Sequence, residues 1–248
     1  MSVSDVMPSV PAGNFQLQSA GADSGNDARH DEALLERVVT DGPVAAIWRT
    51  QRGLVVPRSY LRYEGFDAAC REFAARGWPV TVRQTGGGIV PQGPGILNLS
   101  LAYPVQGPPM RHSEPGYLLI CGILAEALQT LGITAFPAAV QGSFCDGRYN
   151  LAVRRNNDIV KIVGTAQTWR RWPGQADVHL GLVHALVLLD VDTAEVTQMA
   201  NVFEQAIGSP QRYEPKKVVS AAELVGSSSL LQSRFEEALS VAVSNTGV

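Results

Sequence analysis

The 248-residue sequence is short of cysteine, of net charge and of long apolar runs, and each shortage removes a class of protein. Its three cysteines include no pair at Cys-x-x-Cys spacing. Neither a disulfide framework nor a structural metal site is therefore expected, and a reducing, cytoplasmic setting is the natural one. The formal charge is −3, so the basic surplus that a phosphate backbone attracts is missing and nucleic acid is not an expected partner. No apolar run approaches the roughly 18 residues of a membrane span, and the first 30 residues lack a basic stretch followed by an apolar one. No membrane span or export signal is expected. Glycine (24) and proline (15) are too few for a collagen-like or low-complexity chain.

What remains is a globular balance, 45% hydrophobic and 17% charged, in a length that suits one large core or one core with a small appendage. Residues 1–30 carry almost no periodic apolar positions and read as a flexible tail that cannot bury enough surface to offset its ordering entropy. From Asp31 the spacing of Leu34, Leu35, Val38 and Val39 is helical, and a strand over 44–48 follows the turn at Gly42-Pro43. Residues 66–77 read as a helix feeding the β-branched strand 80–82, and 115–131 as a longer helix with Ser113 as N-cap and Gly132 as its stop. Strands are expected over 96–102, 151–154, 159–168 and 180–191. Beyond Asp192, which can cap a helix with Glu195 three residues on, the pattern is helical over 194–207, 221–225 and 230–243. Strands with interspersed helices and a helical end predict an α+β or mixed α/β sheet domain with a helical C-terminal segment.

Three segments exceed what composition explains. Between Arg83 and Asn98, five glycines (Gly86, Gly87, Gly88, Gly93 and Gly95) fall within ten residues. They are either a glycine-rich hairpin turn or a loop whose backbone a ligand approaches closely. In Gly142-Ser143-Phe144-Cys145-Asp146-Gly147, a cysteine stands in a polar, glycine-bracketed loop, unlike Cys70 and Cys121 on apolar helical faces. It is either an inert surface thiol or a nucleophile, and adjacent N–H groups could hold the oxyanion formed on an acyl carbonyl. In the third segment, Lys161 shares an alternating strand face with Ile159 and Val163, where an ammonium is costly without a partner. It is either an edge-strand lysine or a ligand-facing one, and the Gly164-Thr165-Ala166-Gln167 that follows favours a ligand.

Taken in order, Arg83-x-x-Gly-Gly-Gly with a downstream Gly95-x-Leu-Asn98, Lys161-x-x-Gly-x-Ala-Gln167 and His184-Ala-Leu-Val-Leu-Leu-Asp190 resemble the lipoate/octanoate protein ligase and acyltransferase superfamily, shared with biotin protein ligases. The cysteine segment is most similar to the cysteine-dependent octanoyl amidotransferases. The resemblance implies an α+β fold with a mixed, mainly antiparallel sheet flanked by helices, a catalytic domain over 31–192 and a helical segment over 193–248. It also implies Cys145 as acyl-accepting nucleophile and Lys161 as its charged partner. Arg83, Gly86, Gly87, Gly88 and Asn98 would line the acyl pocket with Gly142, Ser143 and Phe144, and Gly164, Thr165, Ala166 and Gln167 would form the opposite wall.

His184 matches a histidine of the ligase-type pattern, although a lone histidine in an apolar strand is more often a hydrogen-bonded core residue. The arginine pair of ATP-dependent ligases is here Arg83-Gln84, and their His-Asp is Pro91-Gln92. The implied activity is transfer of an octanoyl or lipoyl group through a cysteine thioester to a lysine, without a cofactor. Partners would be lipoyl-domain proteins such as the glycine cleavage H protein or 2-oxoacid dehydrogenase E2 subunits, with acyl carrier protein a further candidate donor. The alternatives are an ATP- and magnesium-using lipoate ligase and a non-catalytic acyl-carrier binding protein. The run Trp169-Arg170-Arg171-Trp172 and the later Lys216-Lys217 are either solvated loops or a basic rim that steers an acidic lipoyl domain.

Overall fold

The computed structural model describes residues 13–19, 29–175 and 177–248. In chain order the strands are β1 (Gln16–Ser19), β2 (Val44–Trp48), β3 (Gly53–Pro57), β4 (Val80–Arg83), β5 (Val90–Gln92), β6 (Ile96–Gln106), β7 (Phe136–Pro137), β8 (Leu151–Arg155), β9 (Asp158–Arg171) and β10 (Val178–Leu188). The helices are α1 (Arg29–Asp41), α2 (Phe66–Ala75), α3 (Met110–Gln129), α4 (Thr193–Ala206), α5 (Ala221–Val225) and α6 (Leu231–Ser244). The large sheet runs β1-β2-β6-β10-β9-β8-β7, antiparallel except for β1 with β2, and a small sheet runs β4-β3-β5. The fold is α+β with a mainly antiparallel sheet flanked by helices.

Period-two alternation divides the large sheet into two unlike faces. Leu97, Leu99 and Leu101 of β6 and Val183, Ala185 and Val187 of β10 point into the main core, where α3 supplies Ile120, Leu124 and Leu128 and α6 supplies Phe235, Leu239 and Val243. On the other face, Val44, Ala46, Ala102 and Leu182 pack under Leu34, Leu35 and Val38 of α1. Farther along that same face, Ile96, Leu186 and Leu188 belong to a third core with α2, α4 and the small sheet. Between these two apolar patches lies a polar seam: Asn98 and Ser100 on β6 and His184 on β10, with His184 opposite Ser100 and Leu186 opposite Asn98.

Three expectations are corrected. Within the expected tail, Gln16–Ser19 pairs with β2, Phe15 is buried in the main core, and Gly13 and Phe15 donate their N–H groups to the carbonyls of Val248 and Thr246. That partner lies at the far end of the chain, so no local pattern announces it; residues 1–12 and 20–28 lie outside the described residues. The segment 193–248 is helical as expected, and α4 contributes Val196, Ala200 and Phe203 to one core while α6 helps build another. Helix α3 begins at Met110 and carries Pro115 inside it, so Ser113 is not its cap. The helix forgoes the bond from residue 115, and its apolar face supplies the compensation. Lys161 and Val163 do not share a face. The β8 to β9 register shifts there, pairing Leu151 with Val163 but Ala152 with Lys161. Ile162 and Val163, adjacent in sequence, both enter the main core. A bulge of this kind re-aims side chains, and it puts Lys161 and Gly164 on one side.

Candidate active site

The floor of the site is the polar seam of the large sheet, and its roof is the small sheet. Trp48, Ala166, His184 and Leu186 lie below, Val55, Arg83, Val90 and Gln92 above, and the space between is an apolar slot with Phe144 and Cys145 in its wall. The polar side chains of the seam are paired, as low dielectric demands. Trp48 Nε1 donates to Ser100 Oγ at 3.0 Å, and Ser100 Oγ lies 3.0 Å from His184 Nδ1. Gln92 and Asn98 exchange two amide hydrogen bonds, 2.9 and 3.1 Å. Asn98 is fully buried by this exchange. Gln92, which stands where the ligase pattern has an acid, meets the slot instead of Asn98.

The cysteine loop is anchored on both flanks. Ser143 Oγ donates to Val140 O at 2.7 Å and the Phe144 ring is fully buried in the α2/α4 core. Cys145 follows at φ +49°, a left-handed conformation that costs a non-glycine residue about 1–2 kcal/mol. Three bonds hold it there. Lys161 Nζ donates to Phe144 O at 2.6 Å and to Cys145 O at 2.8 Å, and Asn150 Nδ2 donates to Cys145 O at 2.7 Å. Asn150 also accepts from the N–H of Thr165 at 3.0 Å, tying the loop to β9.

Lys161 is fully buried. Burial brings its ammonium down to about 8, against the pull of the Cys145 and Asp146 charges upward. Expected as a charged partner of the thiol, Lys161 spends its hydrogen bonds on the carbonyls that shape the thiol's loop. The Lys-x-x-Gly spacing has a steric reason: a β carbon at Gly164 would lie 3.1 Å from Lys161 Nζ.

Arg83 organises the glycine loop. Its guanidinium donates to Val55 O (3.1 Å), Gly86 O (2.9 Å) and Gly88 O (2.7 Å), a fork that one planar cation can satisfy and a lysine cannot. Gly87 has φ +102°, and a β carbon there would stand 2.8 Å from Cys145 Sγ. Only a residue without a side chain fits beside the sulfur.

Three cavities meet at Cys145. The apolar slot lies on one side. A polar groove bordered by Tyr60, Tyr63, Gly87, Gly88, Gly142, Ser143, Tyr213 and Lys217 lies on another. A third hollow is bordered by Gly86, Gly87, Gly88, Tyr117, Thr165, Ala166 and Gln167. The structure thus gathers the residues read from sequence around one sulfur, with Asn98 and Lys161 set behind the walls. Sequence reasoning gave no site role to Gln92, Trp48, Ser100, Asn150 or Tyr213, although Gln92 was set against the ligase pattern. Asp146, exposed beside Cys145, borders both the polar groove and the third hollow.

The expected basic and aromatic rim divides. The Trp169 ring packs over Gly181 and against Tyr103, and Trp172 packs on the α1 core, so both indoles are structural. Lys217 does border the polar groove, ion-paired to Asp158 at 2.7 Å. No cluster of three or more His, Cys, Asp or Glu side chains able to hold a metal occurs among the described residues, and no helix there is long and apolar enough to cross a membrane.

Residues 26–242 match the family described as the lipoyl protein ligase A/B catalytic domain. An uncharacterized protein of Cupriavidus necator is 47% identical over 206 residues, 81% of either chain. An octanoyl-[GcvH]:protein N-octanoyltransferase of Kyrpidia tusciae is 33% identical over 183 residues, which is 72% of this chain and 62% of that one. Thus the chain spans less than two thirds of that transferase. In three dimensions, lipoate-protein ligase A bound with ATP superposes with a TM-score of 0.66 at 17% identity, covering 93% of this chain and 84% of the other. A T. acidophilum lipoate protein ligase homologue with bound lipoic acid gives 0.64 at 18% identity, covering 92% and 83%.

Proposed function

The chain belongs to the lipoyl protein ligase A/B catalytic-domain family, and from that membership we propose that it is an octanoyl or lipoyl amidotransferase with Cys145 as nucleophile. One observation carries the reading: Cys145 stands where an apolar slot meets a polar groove and a hollow of mixed lining. The slot suits a medium acyl chain, which gains about 0.8 kcal/mol per buried methylene. The groove and the hollow suit the peptide that presents a lysine.

In the first half-reaction the Cys145 thiolate attacks the donor acyl carbonyl, the C–S bond forms, the donor C–N bond breaks and the leaving amine takes up a proton. In the second, the acceptor lysine amine attacks the thioester, C–N forms, C–S breaks and the thiolate returns, the amine's proton passing to solvent. Amide bonds stand at start and finish, so no nucleotide is consumed. The relative from Kyrpidia tusciae is named for octanoyl transfer from GcvH, which supports lipoyl-domain proteins as donor and acceptor.

A second reading, an ATP-dependent ligase, is favoured by the polar groove over Gly87 and Gly88, which has room for a nucleotide substrate. Initial-rate kinetics separate the two. The amidotransferase turns over without ATP or magnesium and gives the parallel double-reciprocal lines of double displacement. A ligase shows no turnover until ATP is added.

A further inference from the structure

Behind the glycine loop, one carboxylate gathers groups from three parts of the chain. Glu204 of α4 is fully buried; its Oε1 accepts from Tyr60 Oη at 2.5 Å and from Tyr213 Oη at 2.7 Å, while Oε2 has no hydrogen-bond partner among the described residues. A buried carboxylate that faces two phenols, with no cation among its hydrogen-bond partners, is an expensive way to fill a core, and an apolar residue of similar volume is commonly as stable or more so. Burial and the carboxylate push both phenols above their ordinary range, so both remain O–H donors.

What the two phenols hold gives the carboxylate its use. Tyr60 Oη accepts the N–H of Ile89, which closes the glycine loop. Tyr213 is clamped to α4 a second time by Asn201, whose amide accepts from its N–H at 2.7 Å and donates to its carbonyl at 2.8 Å. The next residue, Glu214, donates its N–H to Gly142 O at 2.8 Å, three residues before Cys145. Farther on, the Val219 N–H bonds Lys161 O at 2.9 Å. Residues 213–219 are therefore a strap from α4 across the cysteine loop to the lysine strand. A residue in a disfavoured conformation, as Cys145 is, persists only when its surroundings over-determine it.

We propose that Glu204 is a positioning residue for Cys145: through Tyr60 and Tyr213 it fixes the glycine loop and the cysteine loop against each other, holding the thiol in its left-handed conformation beside Gly87. The inference rests on Cys145 being the reactive group proposed above. It separates position from stability, since a leucine at 204 fills the core but gives the phenols no acceptor.

The test is octanoyl transfer by Glu204→Leu, Glu204→Gln and Tyr213→Phe, each compared with the unaltered protein by circular dichroism first. The expected result for folded Glu204→Leu is a kcat lowered at least about tenfold with KM for the octanoyl donor within about twofold, because the slot lies on the other side of the sulfur. Glu204→Gln, which keeps an acceptor oxygen, retains more. Wild-type kcat in folded Glu204→Leu overturns the proposal. If that variant does not fold, Tyr213→Phe decides in the same way: a loss of kcat supports it and wild-type kcat overturns it. If the unaltered protein transfers no octanoyl group, the amidotransferase reading is what fails. The rate of Cys145 alkylation by iodoacetamide in the same variants then decides, an unchanged rate overturning the positioning role and a changed one supporting it.

Discussion

A side chain at Gly87 would begin 2.8 Å from Cys145 Sγ and 3.1 Å from Arg83 Nη2, so glycine, thiol and guanidinium share a space that admits no β carbon. Gly86, its neighbour, has nothing within 4 Å of its β position. Gly87→Ala is therefore expected to lower octanoyl transfer by about two orders of magnitude, the cost of displacing a reacting atom by about an ångström. Gly86→Ala should transfer at close to the wild-type rate. Equal rates in the two variants would show the run to be an ordinary turn.

Arg83 bonds three carbonyls across β3 and the glycine loop. Arg83→Lys keeps the charge but replaces a planar fork with a single ammonium, leaving at least one buried carbonyl unmet at about 1–3 kcal/mol. The expected outcome is a lower melting temperature together with slower transfer. A variant that melts normally and fails only in acyl binding would instead make Arg83 a ligand contact.

Ala166 borders both the apolar slot and the hollow beside the glycine loop. Ala166→Leu should narrow the slot, raising KM for an octanoyl donor about tenfold or more, while iodoacetamide still alkylates Cys145 at the wild-type rate. Unchanged KM would place the acyl chain elsewhere.

Burial holds the Lys161 ammonium at about 8, below its ordinary 10.5. Between those two pH values the unfolded chain binds a proton that the folded chain lacks, so stability rises with pH across that window; below it the full cost, about 3 kcal/mol, opposes folding. Lys161→Met removes this dependence. Urea denaturation at pH 7 and pH 9 should show the wild type gaining about 1 kcal/mol relative to the variant. Parallel behaviour of the two proteins would mean that folded Lys161 stays protonated across this range, with no lowering of its pKa.

The parts of this molecule that the sequence makes legible are those whose cause is local. Asp192 caps α4 by accepting from the N–H groups of Ala194 and Glu195, and Ser220 with Glu223 makes the capping box of α5. The glycine loop and the cysteine loop stood out because their residue types are unusual in place. What stayed hidden depends on distant partners. Phe15 is ordered by strand and C-terminal contacts far along the chain, and β3, five residues long, needs β4 and β5 to exist. The Lys161-x-x-Gly164 spacing looked like plain alternation because a bulge has no compositional mark. Glu204, Asn201 and Tyr213 lie on a stretch that reads as amphipathic helix and loop, and nothing in its periodicity reveals that it straps the cysteine.

The most direct measurement is the intact mass of the protein after incubation with an octanoyl-bearing lipoyl domain in the absence of ATP and magnesium. The account predicts one octanoyl group on Cys145, labile to hydroxylamine as a thioester is, absent from Cys145→Ala, and lost on addition of an unmodified acceptor domain that becomes octanoylated in turn. No adduct without ATP, together with acceptor modification by Cys145→Ala once ATP and free acid are supplied, would contradict it and make the protein a ligase.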